Sequence, residues 1–203
     1  MDALPAPEQI SFPTPDHGVV YANLYGSGGH TVILAHGIRF NKESWHHQAQ
    51  QLAAAGYRVL AIDFRGYGKS EGGPNSTRDD MFLDVLAAAD YLRAHGGKTV
   101  AVIGGSMGGG AAANAVVKGP AGAIDRVILL AHAPIAHPER ITGPKLFLTA
   151  QDDPIAPNVR EQYEKAPDPK ELIVLEGAAH AQFLFTTDQA PRLMKEILRF
   201  LAG

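Results

Sequence analysis

The sequence carries one local pattern in which spacing and residue type together dictate chemistry: Gly104-Gly105-Ser106-Met107-Gly108, of the form G-x-S-x-G. It follows an apolar run and precedes an Ala-rich one, the strand–turn–helix setting that such a pattern requires. A chain that reverses from strand to helix within a few residues leaves no room for side chains beside the turning residue. Glycines at 104 and 108 relieve that crowding and let Ser106 take a strained backbone with its hydroxyl projecting. The start of the following helix offers free N–H groups to a developing oxyanion. Gly109 and Gly110 extend the run, and each costs about 1 kcal/mol in a helix relative to Ala. Close packing or the close approach of a ligand must compensate.

A serine hydroxyl is a weak nucleophile until a base takes its proton. Nine histidines are available. His180, in Gly177-Ala178-Ala179-His180, stands just past the last strand-like run, among small residues that let an imidazole turn inward. His17, His30 and His95 fall at turns or helix ends, and His46-His47 open a helix. His132 and His137 follow a strand end and could line a site, but no upstream acid orients them. His36, before Gly37, belongs to a loop assigned to oxyanion binding. An acid must fix the imidazole's tautomer and stabilise its cation. Residues 149–157 supply two candidates. Asp153 is preferred because Pro154 restricts it to an extended backbone; Asp152, one register away, is the alternative.

These groups need elements to bring them together. Residues 31–35, 58–63, 100–104, 126–131, 146–150 and 171–175 are short, rich in Val, Ile and Leu, and almost free of charge. Such runs fit strands covered on both faces, as in a parallel sheet. Residues 19–25 form a further strand, with a short one at 9–12 before it. Between the runs lie helix candidates at 44–55, with Ser44 as N-cap, at 79–95 after Ser76 and Thr77, at 107–117, at 158–165 and at 189–201. The last places Leu193, Ile197, Leu198 and Leu201 on one stripe, so it packs against the sheet. The fold class is therefore α/β: a mostly parallel eight-stranded sheet with helices on both faces. Active groups in such sheets sit on loops beyond the strands' carboxyl ends.

Composition narrows the function classes. A chain of 203 residues and 21.6 kDa suits one domain, residues 1–203. Apolar residues reach 45% and charged residues 19%, enough for a sizeable core and too apolar for disorder. A formal charge of −3 gives no electrostatic footprint for nucleic acid or an anionic membrane. No apolar run approaches the roughly 18–20 residues of a membrane span. Residues 1–7 show no basic segment followed by an apolar stretch, so no signal peptide is read and the expected location is the cytoplasm. Cysteine is absent, which excludes disulfides, thiolate zinc sites and a cysteine nucleophile. Neither an H-E-x-x-H pattern nor a two-His-plus-carboxylate cluster is visible. The expected cofactors and metals are none, and the expected partner is a small-molecule ester.

Taken in order, Ser106, Asp153 and His180 follow the Ser…Asp…His order of the α/β-hydrolase fold. The chain resembles an α/β-hydrolase-fold serine hydrolase, a small lidless esterase-like member, over nearly its whole length. The matching pieces are His36-Gly37, the run from Asp63 to Ser70, the Gly104 to Gly108 turn, Asp153 and His180. The resemblance implies nucleophile, acid and base at Ser106, Asp153 and His180. It implies an oxyanion hole from the backbone N–H groups of Ile38 and Met107. One departure is Ala150, where many members have Gly before the acid. The stretch from Asp63 to Ser70 resembles a structural turn, in which Arg65 and Lys69 read as a solvated loop.

Lipid-hydrolysing members often insert a helical lid after the sixth strand. Here that strand ends near Ala131 and the next begins near Leu146, too short a gap for one. An open site is expected, framed by Ile38, Arg39, Phe40, Trp45, Met107, Ile155 and Phe183, with Trp45 and Phe183 equally readable as core. The implied reaction is hydrolysis of accessible carboxylic esters, short acyl chains favoured, through an acyl-enzyme. Thioesters, amides and peracids would use the same constellation. A haloalkane dehalogenase would need a carboxylate where Ser106 stands. The competing class is a non-catalytic ligand-binding sensor of the same fold.

Overall fold

A computed structural model describes residues 6–203. Residues 1–5, part of the start read above for a leader, lie outside the described residues. The strands are β1 (Glu8–Pro13), β2 (Val19–Tyr25), β3 (His30–Ala35), β4 (Arg58–Ile62), β5 (Thr99–Gly105), β6 (Arg126–Leu130), β7 (Lys145–Ala150) and β8 (Lys170–Leu175). The helices are α1 (His46–Ala54), α2 (Met81–Ala94), α3 (Met107–Lys118), α4 (Ala156–Lys165) and α5 (Ala190–Ala202). The strands form one sheet in the order β1-β2-β4-β3-β5-β6-β7-β8. β1 and β2 make an antiparallel hairpin, β2 runs antiparallel to β4, and the neighbours from β4 to β8 are parallel.

Continuous apolar strands arise because both faces of the sheet are covered. Side chains alternate between the two cores with period two. In β3, Ile33 joins one core while Val32 and Leu34 join the other; in β5, Val100 and Val102 oppose Ala101 and Ile103. The first core is closed by Val85 and Leu92 of α2, Ala112 of α3 and Val159 of α4. The second is closed by Leu52 of α1 and by Leu193, Ile197 and Leu201 of α5, with Leu198 packed alongside. That is the stripe expected for the last helix. No helix among the described residues is long and apolar enough to cross a membrane.

Two local expectations need correction. Ser44 is not the N-cap of the first helix. A 3-10 turn, Lys42–Trp45, precedes α1, and Asn41 caps it by accepting the Ser44 amide at 3.1 Å. The second concerns Arg65, which is buried rather than solvated. Its guanidinium donates to Asp84 Oδ1 at 2.7 Å and to Asp16 Oδ2 at 2.7 Å, and its backbone amide donates to Asp84 Oδ2 at 2.9 Å. Asp84 sits on α2 with no exposed surface, and a buried carboxylate is tolerable only when paired and hydrogen-bonded. Sequence separation hid the pair. Lys69 remains exposed, as read.

Candidate active site

The sheet order itself makes the crevice. From β3 the chain crosses to β4 on one side, and from the adjacent β5 it crosses to β6 on the other, so the loops beyond the carboxyl ends of β3 and β5 diverge there. Loops after β3, β5, β7 and β8 meet at this point and carry the candidate residues.

Ser106 turns the chain from β5 into α3 with φ 51° and ψ −115°. Such a backbone costs on the order of 1–3 kcal/mol and persists only where surroundings hold it. Here the Ser106 amide donates to Leu130 O at 2.9 Å, while its carbonyl accepts the Ala133 and Gly110 amides at 2.9 and 3.1 Å. The glycines around it answer the packing question. A Cβ on Gly108 would stand 2.2 Å from Ala35 O, and one on Gly109 would stand 2.7 Å from the His132 Cβ. α3 can approach β3 and β6 this closely only without those side chains. Gly110 instead faces a cavity beside Ser106.

Ser106 Oγ lies 2.9 Å from His180 Nε2, and His180 Nδ1 lies 2.8 Å from Asp153 Oδ2. With Nδ1–H donating to the carboxylate, Nε2 accepts from the serine hydroxyl. Asp153 is buried, and its other oxygen accepts the Ile155 amide at 3.1 Å. Both carboxylate oxygens are therefore engaged and the acid cannot swing away. Asp152 points to solvent, its amide donating to Gly177 O at 2.9 Å. Asp153, not Asp152, reaches the imidazole.

Ile38 and Met107 flank Ser106 in the same cavity. Among the described residues neither backbone N–H has a protein acceptor, which leaves both free for an oxyanion. The loop that holds Ile38 is tightly fixed. His36 is fully buried; its Nδ1 donates to Gly37 O at 2.9 Å and its Nε2 accepts the Phe64 amide at 3.2 Å. Burial pushes the His36 pKa down against the opposing pull of the Gly37 carbonyl, and the Phe64 amide donating to Nε2 sets the tautomer. Tyr67 donates from its hydroxyl to Ile38 O at 3.0 Å. Gln182 accepts the Gly37 amide at 2.7 Å. Sequence reading missed Gln182, because nothing marks a glutamine two residues past a histidine as a clamp.

Of the expected frame, Arg39, Phe40 and Phe183 line a cavity of about 310 Å³ together with Ser106 and His180. Phe40 and Phe183 face each other with ring centroids 5.0 Å apart. Two expectations fail. Trp45 is 1% exposed and packs in the core against Phe185, and Ile155 packs on the core beside α4, reaching the site only through its amide. A larger cavity of about 590 Å³ runs from Ser106 along α3 to Asn114 and Lys118, with Arg78 and Phe82 on its opposite wall. Sequence reading did not foresee it. Between β6 and β7 the described chain has only the 3-10 turn Pro138–Arg140 as regular structure, so no helical insertion stands between these strands. Among the described residues no group of three or more His, Cys, Asp or Glu is placed to hold a metal.

Residues 30–142 match the family model of the alpha/beta hydrolase fold. The chain belongs to that family. A non-heme haloperoxidase of Rhodococcus erythropolis is 31% identical over 127 residues, 62% of this chain and 45% of that protein. ABHD14B of Rattus norvegicus is 29% identical over 182 residues, covering 85% of this chain and 84% of its own length. Among solved structures, esterase Pf2001 of Pyrococcus furiosus superposes with a TM-score of 0.85 at 20% identity, covering 98% of this chain and 92% of that one. This likeness shows the fold. The chain spans less than half the length of the haloperoxidase. As an α/β hydrolase it places the Ser106 turn after the fifth strand and the Asp153 and His180 loops after the seventh and eighth.

Proposed function

We propose that this α/β hydrolase is a serine esterase that cleaves carboxylic esters of small or accessible substrates through an acyl-enzyme. The observation that carries the reading is the unbroken relay of Asp153, His180 and Ser106 at 2.8 and 2.9 Å. His180 takes the Ser106 proton as Oγ attacks the ester carbonyl. The tetrahedral oxyanion is held by the Ile38 and Met107 N–H groups, each such donor being commonly worth about 2.7–4 kcal/mol. His180 then protonates the leaving alcohol, and water enters to deacylate by the reverse proton route.

The exposed rims, Ile38 and Phe183 above all, support an accessible substrate over one sealed beneath a cover. The test is labelling with a fluorophosphonate probe. The wild type gains one adduct mass, mapped to Ser106, and Ser106→Ala gains none. A folded wild type that stays unlabelled makes the chain a binding protein instead.

A further inference from the structure

The two cavities that meet at Ser106 differ in one decisive respect. Both include Ser106 and Ile38, but His180 lines the smaller and not the larger. The departing alcohol must take its proton from His180 Nε2, so it belongs on the smaller side, between Phe40 and Phe183. The acyl chain then lies in the larger groove. There α3 presents Met107, Gly110, Ala111, Asn114 and Lys118, spaced so that all fall on one stripe of the helix. The groove is apolar beside Ser106 and polar at its far end. From Met107 to Lys118 the helix rises about 16 Å, and its side chains lean back toward its start.

Charge is also unevenly distributed. Lys118 Nζ sits 4.5 Å from the centroid of the Phe82 ring, held across the groove. Arg78 lines the opposite wall. Neither cation pairs with a carboxylate among the described residues. Asp79 is the one acid on the wall. The groove therefore carries a net positive charge in a chain whose formal charge is −3.

Resting on the esterase reading, we propose that this groove selects acyl chains with an apolar middle and a terminal anion, which Lys118 and Arg78 recognise. The substrate class is the half-ester of a medium-length dicarboxylic acid. Ser106 Oγ bonds to the ester carbonyl carbon, the alkoxy C–O bond breaks with its proton supplied by His180, and water releases the dicarboxylate.

Two measurements test this on the full chain. The first compares kcat/KM for the mono-p-nitrophenyl ester of octanedioic acid with that for p-nitrophenyl octanoate, in wild type and in Lys118→Met/Arg78→Met. The wild type favours the charged ester, and the double variant lowers the charged-to-neutral ratio roughly three- to tenfold, the scale of exposed ion pairs. A ratio that does not change, or a wild type that prefers the neutral ester, overturns the proposal. So does a ratio that responds only when the carboxylate sits on the alcohol, as in 4-carboxyphenyl octanoate, since that points to Arg39 and an inverted assignment. The second measures protection of Ser106 from the fluorophosphonate by octanedioate against octanoate, which needs no turnover. Absent labelling removes the esterase reading and this proposal with it. Labelling with equal protection by both acids removes this proposal alone.

Discussion

Gln182 holds Gly37 from the opposite side of the crevice: its Oε1 accepts the Gly37 amide at 2.7 Å, and its Nε2 donates to Ser44 Oγ at 2.9 Å. One buried side chain from the turn after His180 thus fixes the loop that carries the Ile38 amide. Replacing it with Gln182→Leu keeps the volume and leaves the Gly37 amide unpaired, a loss of about 1–3 kcal/mol. The Ile38 N–H should drift from the oxyanion position. The expected outcome is a fall in kcat of about tenfold or more with KM within about twofold. Gln182→Glu, which retains an acceptor, should recover part of kcat. A variant that melts earlier yet keeps kcat would assign Gln182 to stability alone.

Ser106 and His180 act through one hydrogen bond of 2.9 Å, so their losses should not add. Ser106→Ala and His180→Ala should each remove nearly all ester hydrolysis, and the double variant should be little worse. Asp153→Asn should be severe because Asp153 accepts from both the imidazole and the Ile155 amide. Asp152→Asn, at an exposed carboxylate, should stay within about twofold of wild type. Steady-state rates on p-nitrophenyl acetate decide both comparisons.

Much of this arrangement could be read from residue order alone. Ser106, Asp153 and His180 stand at strand ends because apolar runs with glycine punctuation expose those ends in the sequence. Their convergence then follows from the parallel sheet. What could not be read depends on long-range pairing. Arg65 meets Asp84 across 19 residues and Gln182 meets Gly37 across 145, and no local periodicity announces either contact. Trp45 shows the same limit: an aromatic beside a loop fits a pocket or a core equally until the neighbouring Phe185 is known. The groove along α3 was also hidden, because Gly110 and Ala111 beside Ser106 read as packing and its far wall, with Arg78 and Phe82, comes from a distant part of the chain.

The Arg65–Asp84 pair makes its own prediction. Arg65→Met leaves Asp84 buried without a counter-charge, and breaking a buried pair from one side costs about 3–5 kcal/mol. Arg65→Met combined with Asp84→Leu removes both charges and should recover a large part of that loss. Urea denaturation of the two single variants and the double variant measures the coupling. Additive losses would show that the pair contributes no mutual stabilisation.

The glycines of α3 should separate by what surrounds them. Gly108→Ala drives a Cβ to 2.2 Å from the Ala35 carbonyl oxygen, a backbone atom that cannot step aside. The expected loss exceeds about 3 kcal/mol, with activity lost as β3 shifts. At Gly110 the nearest atom is the Ala133 Cβ at 3.2 Å. Gly110→Ala should therefore be close to neutral in stability, since a gain of about 1 kcal/mol in helix propensity offsets a small displacement. Thermal melts of the two variants should differ widely.

His132 is expected to make the fold acid-sensitive. It is fully buried against Gly109 under the serine turn, its Nδ1 donates to Ala133 O at 2.9 Å, and its Nε2 has no partner among the described residues. Burial pushes its pKa down to about 4, against a smaller opposing pull from the Ala133 carbonyl. The unfolded chain, titrating near 6.5, takes up the proton first as the pH falls. The stabilisation is complete above about pH 6.5 and is lost progressively toward pH 4, on the order of 3 kcal/mol at 1.36 kcal/mol per pH unit. Burial lowers the His36 pKa as well, so it acts in the same direction. Asp16 does not blur this window. Its burial is outweighed by hydrogen bonds from Arg65 and Thr14 that hold its pKa at about 2, so its contribution fades only below roughly pH 4. Urea midpoints between pH 7 and 4.5 should fall steeply, and His132→Asn should flatten part of that slope. Parallel curves for the two proteins would mean that His132 is not the group being charged.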